Sequence, residues 1–151
     1  MKRISARMKY LLACSLLAAL PAQAQVLGSV TTAWDLVSNH KIEVSVFDDP
    51  KIEGSACFLS KPITGGLTGA VGLAEDKSDV SIACRQVGPL KLLAQFTPGE
   101  QVFTESRSPL FKKLRVVRFW DPKRQVIVYL AYSDKLIDGS PKNSISVVPF
   151  R

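Results

Sequence analysis

The stretches LRVVRFW (114–120), DPKR (121–124) and VIVYLAY (126–132) decide the fold. The first and third are rich in β-branched and aromatic residues, which are typical of strands. Between them, aspartate stands at the first turn position, and proline, whose ring fixes φ, stands at the second. The segment therefore predicts a β-hairpin. Its second strand is apolar on both faces, which favours a central position in a sheet.

Strand patterns continue through most of the chain. Apolar and polar residues alternate over Ile42–Val46, as in a half-buried strand. Asp48-Asp49-Pro50 predicts a turn, and Gly54 is expected to close the connection to a returning strand. The other predicted strands are Gly28–Thr32, Ser55–Leu59, Val80–Cys84, Gln101–Thr104 and Ile145–Val148.

Helix-forming segments are scarce. Thr32–Val37 is compatible with a short helix or a strand, and a helix over Gly65–Ala74 is disfavoured by its glycines. The pattern predicts a mostly β domain, an antiparallel β-sandwich or partly open barrel with minor helix.

Residues 1–24 are organised like a cleavable secretory signal peptide. A basic start precedes an apolar run over Tyr10–Leu20, which Pro21 ends, and Ala22-Gln23-Ala24 offers the small-x-small pattern for cleavage. The run of about 11 residues is short of the roughly 20 needed to span a bilayer, so a retained anchor is the less favoured alternative. We expect cleavage before Gln25, a single mature domain over residues 25–151, and membrane contact only through the transient signal peptide.

Loss of the signal peptide changes the charge and the cysteine content. The full chain carries +7, but the mature part has 16 basic and 13 acidic residues, or +3, which weakens a nucleic-acid-binding hypothesis. Cys14 leaves with the signal, and its sequence context disfavours lipidation because most of the apolar run follows it. Cys57 and Cys84 remain as an even pair, expected to form a disulfide in an oxidising compartment. Two buried thiols or a redox pair are the alternatives, although no Cys-x-x-Cys motif is present.

The residues that catalysis or metal binding would need are few. His40 is the single histidine, and its polar surroundings predict an exposed loop residue rather than a catalytic base. Glu75, Asp76 and Asp79 form one acidic cluster, and Asp48 and Asp49 form another. Both flank predicted turns, where carboxylates are commonly solvated or bonded to local backbone. We expect no cofactor, no metal and no catalytic residues.

The candidate binding surface combines a glycine-rich segment with a polar stretch near the C-terminus. The glycine spacing superficially resembles a phosphate loop but lacks its lysine and its strand-to-helix context. A tightly turned, packed connection is the simpler interpretation. The candidate surface residues are Gly65, Gly66, Gly69, Gly72, Glu75, Asp76, Asp134, Lys135, Lys142 and Asn143.

A basic strand supplies a second possible surface. Lys112, Lys113, Arg115 and Arg118 alternate with apolar and aromatic residues, a pattern that can bind nucleic acid. In an exported protein, an anionic glycan or a lipid headgroup is the more plausible target. Edge-strand lysines also prevent sheet-to-sheet aggregation.

Taken together in chain order, several motifs resemble the CreA family of bacterial periplasmic proteins. The resemblance implies a Gram-negative periplasmic protein, places Cys57 and Cys84 at the family's cysteine pair, and suggests a link to catabolite regulation through the family's name. It carries over no catalytic residue. The motifs are Phe47–Pro50, Thr64–Gly66, Gly72–Asp76, Ser81–Cys84, Gln86–Pro89, Val116–Phe119, Leu130–Lys135 and Gly139–Asn143.

Two function hypotheses from different classes follow. The sequence favours a non-catalytic periplasmic binding or interaction domain whose partner is an envelope protein or a small ligand, with no nucleic acid. The alternative is a small periplasmic hydrolase or lyase that uses His40 or the carboxylates Glu75 and Asp76 near the glycine-rich segment. Attachment to a membrane surface through that segment is a third possibility.

The processing site is directly testable. Mass spectrometry of the exported protein is expected to show a chain that begins at Gln25, because Ala22 and Ala24 fit the small-residue requirement of signal peptidases. A lipid attached to Cys14, or a retained N-terminus, would contradict this prediction.

Overall fold

Eight strands form in the computed structural model, which describes residues 22–34, 38–65, 79–106, 113–134 and 142–151. Every strand predicted from the sequence is confirmed, with Val80 lying one residue before the strand that follows it. The strands are β1 (Gln25–Trp34), β2 (Ser38–Asp48), β3 (Ile52–Gly65), β4 (Ser81–Leu92), β5 (Glu100–Ser106), β6 (Lys113–Asp121), β7 (Val126–Ser133) and β8 (Asn143–Pro149).

The strands form two antiparallel sheets, each with four strands in chain order. One sheet has the order β1-β2-β3-β4 and the other β5-β6-β7-β8. The predicted hairpin forms between β6 and β7, and β7 occupies the expected central position. In its turn, the Asp121 carboxylate accepts hydrogen bonds from the backbone N–H groups of Lys123 and Arg124 at 3.0 and 3.1 Å. These findings confirm the expected antiparallel β-sandwich.

Helix is absent from the described part of the chain, so no helix there is long and apolar enough to cross a membrane. Two segments were considered for minor helix. In the first, Thr32–Trp34 belongs to β1, and residues 35–37 lie outside the described residues. In the second, Gly65 ends β3, and the rest falls in residues 66–78. Residues 66–78, like residues 1–21, lie outside the described residues.

Two local predictions were wrong. Gly54 does not close the turn but lies inside β3, where a bulge gives it φ +80°. A Cβ atom there would collide with the carbonyl oxygen of Pro89, so the close approach of β4 also requires glycine. His40 is not an exposed loop residue, because it is half-buried in β2 opposite Thr64.

The core lies between the inner faces of the two sheets. Phe47 from β2 and Phe103 from β5 stack with ring centroids 4.6 Å apart, which joins the sheets near their β2 and β5 sides. The remaining core side chains are Ile52, Cys57, Leu59, Ile82, Cys84, Val102, Leu114, Val116, Ile127, Tyr129, Ala131 and Val148.

On the other side of the sandwich, the edge strands β4 and β8 approach each other. The Cys84 N–H donates to Ser146 Oγ at 2.8 Å, and the Ile82 N–H donates to Ser144 Oγ at 3.4 Å. Side-chain hydroxyls of β8 thus satisfy backbone donors of β4, which would otherwise be unpaired at a sheet edge.

Cys57 and Cys84 form the predicted disulfide. Cys57 in β3 lies directly opposite Cys84 in β4, and both side chains are fully buried. The bond therefore links two neighbouring strands of the first sheet at its inner face.

Replacement of both cysteines by alanine is expected to lower the free energy of unfolding by about 3 kcal/mol, since the unfolded chain gains conformational freedom. Guanidinium unfolding followed by circular dichroism measures the difference. The alanine variant should not respond to dithiothreitol, and equal midpoints for the two proteins would contradict the prediction.

Candidate functional site

A buried carboxylate connects the two sheets at one end of the sandwich. Asp49 lies in the β2–β3 turn with its side chain fully buried. Its Oδ1 accepts hydrogen bonds from the Lys51 N–H at 2.8 Å and from Arg118 Nη1, and its Oδ2 accepts one from the Tyr129 hydroxyl at 2.9 Å. The turn of one sheet is thereby bound to two strands of the other.

Arg118 is fully buried, so the prediction that it contributes to a basic binding surface on this strand was wrong. Along β6, its side chain shares the inner face with Leu114 and Val116, as alternation by two residues requires. Its Nη2 donates to Glu100 at 3.0 Å, and its guanidinium carbon lies 4.4 Å from the centre of the Phe96 ring. The period-2 pattern was a sequence signal that placed Arg118 inside.

Of the other members of that basic strand, Lys113 is exposed and Arg115 is half-buried. Arg115 Nε donates to Asp134 at 2.7 Å, and this hydrogen bond raises the pKa of Arg115. Lys112 lies outside the described residues.

Tyr129 stands beside Arg118 in the sheet register and completes the buried cluster. Its hydroxyl also lies 3.0 Å from Ser55 Oγ on the first sheet. Burial raises the pKa of Tyr129, and the negative charge of Asp49 raises it further. The phenol therefore stays protonated and acts as a hydrogen-bond donor to Asp49.

Glu100 and Lys51 form the partly exposed side of the cluster. Lys51 Nζ lies 2.6 Å from Glu100 Oε1 and 2.9 Å from the carbonyl oxygen of Gln95. Burial raises the pKa of Glu100, but hydrogen bonds from Lys51 and the Thr97 N–H, together with the charge of Arg118, outweigh it and leave the pKa below its ordinary value. Glu100 is thus held ionised against two cations.

An apolar cavity of about 190 Å³ lies beside this cluster, between the ends of the sheets. Phe96 belongs to both features, since its ring packs on Arg118 and also lines the cavity. Trp120 and Phe150 contact each other edge to face at 5.9 Å and form another part of the wall. The lining residues are Ile52, Leu92, Gln95, Phe96, Trp120, Ile127 and Phe150.

The ionisable groups at this end of the molecule are engaged with one another. Both Asp49 oxygens are engaged by donors, and Tyr129 is held in its neutral form. The cavity wall is apolar apart from Gln95. Among the described residues, no group of three or more His, Cys, Asp or Glu side chains is placed to hold a metal ion.

The predicted binding surface maps to the opposite ends of the strands. Gly65 ends β3, and Asn143 begins β8 opposite Tyr132. Lys142 Nζ forms an ion pair with Asp79 Oδ1 at 2.6 Å, which places Asp79 next to the beginning of β8. Asp134 accepts the hydrogen bond from Arg115 Nε described above. The remaining members of the surface lie outside the described residues and are Gly66, Gly69, Gly72, Glu75, Asp76 and Lys135.

The acidic residues of the β2–β3 turn divide into two environments. Asp48 is exposed, as expected for a turn carboxylate. Asp49 is not solvated, although its bond to the Lys51 N–H is the expected local one. The sequence prediction missed the partners of Asp49 because they come from distant strands.

Comparison with known proteins identifies the family. The family model for CreA protein matches residues 27–151, which include nearly all of β1 and every later strand. The chain belongs to the CreA family. It is similar to Protein CreA of Escherichia coli strain K12, with 49% identity over 133 residues that cover 85% of each chain. The proteins of the same name from E. coli O6:H1 and O157:H7 show the same identity and coverage. No solved structure matches this chain.

Asp49→Asn is expected to lower the free energy of unfolding by about 3 kcal/mol, because it leaves the buried Arg118 guanidinium with only the partly exposed Glu100 as its counter-ion. Asp48→Asn, on the same turn but exposed, is the matched control and should change stability by less than about 0.5 kcal/mol. Urea unfolding of the three proteins measures both effects. Equal stability of the two variants would contradict the structural role given to Asp49.

Proposed function

We propose that this CreA-family chain is an exported periplasmic binding domain without catalytic activity, whose ligand is a small apolar molecule. Three observations support the compartment: the N-terminal segment has the features of a signal peptide, the mature cysteines are joined, and the sequence resembles periplasmic proteins. A connection to catabolite regulation is the further expectation that the family's name provides.

The apolar cavity lined by Phe96, Trp120 and Phe150 is the observation on which the binding proposal rests. Ligand sites are commonly concave and lined by apolar and aromatic side chains with a few polar groups. At about 190 Å³ the cavity is small and partly open to solvent, and enclosed cavities of about 150 Å³ bind benzene in other proteins. The ligand class that fits is a single ring or a short branched alkyl group, with Gln95 available for one hydrogen bond.

The buried cluster beside the cavity supports the same proposal. Phe96, which lines the cavity, is held by its contact with Arg118, and Arg118 is in turn held by Asp49 and Glu100. A wall fixed in this way keeps its shape without ligand, which reduces the entropy lost on binding.

The hydrolase or lyase alternative gains no support from the described contacts. His40 lies in a strand, and Glu75 and Asp76 lie outside the described residues. Alanine at these three positions tests it: loss of a cellular phenotype with fold and ligand binding intact would favour an enzyme.

Toluene is a suitable probe for the cavity, and adjacent leucines provide the matched variants. Both leucines are exposed, at 41% and 54%, but only Leu92 lines the cavity. Toluene is expected to cause saturable NMR shifts at Trp120, Ile127 and Phe150. Leu92→Ala should weaken binding about tenfold through lost apolar contact, and Leu93→Ala should leave it unchanged. Non-saturable shifts, or equal effects of the two variants, would contradict the proposal.

A further inference from the structure

The residues just before the expected cleavage site occupy a gap between the sheets. Ala22 forms a parallel bridge with Phe103 of β5, which is an edge strand of the second sheet. Ala22 and Ala24 are half-buried and pack against the core, whereas Gln23 between them is exposed. The segment thus behaves as a short extended strand that places small side chains inward at alternate positions.

Below this segment is a groove with an unusual polar lining. It retains a volume of about 440 Å³ with the segment in place. Its residues come from the segment, from the inner face of the first sheet and from β5. They are Ala22, Gln23, Ala24, Val26, Glu43, Ser45, Lys61, Phe103, Thr104 and Glu105.

Two buried polar side chains line the groove. Ser45 is 1% exposed, and its Oγ has no hydrogen-bond partner. Such an unsatisfied group is costly in a folded protein and is commonly a site that a ligand or water completes. Lys61 is also buried, and its ammonium lies 2.6 Å from Glu105 Oε1 and 3.3 Å from Glu43 Oε1.

Cleavage before Gln25 would remove the strand that covers this groove. All eight strands lie within residues 25–151, so the fold itself keeps its elements. The edge of β5 would then lose its neighbour at Phe103, and the groove would lose Ala22–Ala24. This step rests on the processing and export in the proposed function.

We propose that the mature protein uses this vacated groove to bind an extended peptide segment of another envelope protein, which adds to β5 as a parallel strand. Residues 22–24 indicate the features that the bound peptide should have. It should carry small side chains at alternate inward positions with a polar residue between them, and it should run parallel to β5. Backbone hydrogen bonds at a sheet edge supply affinity in this mode of recognition, and side-chain pockets supply specificity. The Ser45 hydroxyl is placed to bond a polar group of the incoming peptide.

The experiment uses mature protein purified after export of the full chain. The probe is a fluorescent peptide with the sequence of residues 18–24, AALPAQA, and binding is followed by fluorescence anisotropy. Saturable binding is expected for the mature protein. A chain that begins at Ala22 keeps its own segment in the groove and should bind at least about tenfold more weakly. A peptide with glutamate in place of both inward alanines should not bind, because the buried carboxylates would lack partners.

Point variants locate the site. Ser45→Phe places a ring in the groove, whose volume of about 440 Å³ can accept it, and should weaken binding of the peptide about tenfold while the protein still folds. Ser29→Val, on an exposed part of β1 outside the groove, should bind normally.

The possible failures are distinguishable. Absence of binding to mature protein, or equal binding by the chain that begins at Ala22, would overturn the groove proposal. A dimer that forms only after cleavage and blocks the peptide would also overturn it, because a second copy would then be the occupant. An N-terminus other than Gln25 would instead contradict the processing step, and toluene binding in the distant cavity tests the proposed function independently.

Discussion

The ion pair between Asp49 and Arg118 is the constraint on which the end of the sandwich depends. Both side chains are fully buried, so removal of either one leaves the other as a buried charge without its buried ionic partner. Asp49 comes from a turn of the first sheet and Arg118 from the inner face of the second. A second hydrogen bond across the same interface joins Ser55 of the first sheet to Tyr129 of the second, and Tyr129 also donates to Asp49. The pair therefore specifies how the sheets are placed relative to each other, which apolar packing alone defines less sharply.

The cavity and the groove differ in how their walls are held. The cavity wall includes Phe96, which is fixed from behind by Arg118. The groove instead is lined partly by a segment attached through a single bridge at Ala22, next to a serine hydroxyl without a partner. One region is thus preformed by the fold, whereas the other depends on which chain segment lies against β5.

The sequence predicts the strands well because each depends on local information. Alternation over Ile42–Val46, the aspartate-proline turn at Asp121 and the apolar run before Tyr132 all concern neighbouring residues. The buried cluster is different, because Asp49 and Arg118 are 69 residues apart and each looks like an ordinary turn or surface residue beside its neighbours. Alternation along β6 places Arg118 on the inner face, but only the docking of the sheets identifies its partner. Gly54 was misassigned for the same reason, since its need for space comes from Pro89 on another strand.

The order of the strands also bears on how the chain assembles. Each sheet is a meander of consecutive strands, so every strand pairs with its neighbour in the chain, which favours rapid formation. The Cys57–Cys84 bond lies wholly in the first sheet and needs nothing from β5 to β8. The first half of the chain therefore contains both cysteines and every strand of its own sheet. Asp49 is different, because its burial requires Arg118 and Tyr129 from the second half, so this carboxylate is shielded from water only when the two halves are packed together.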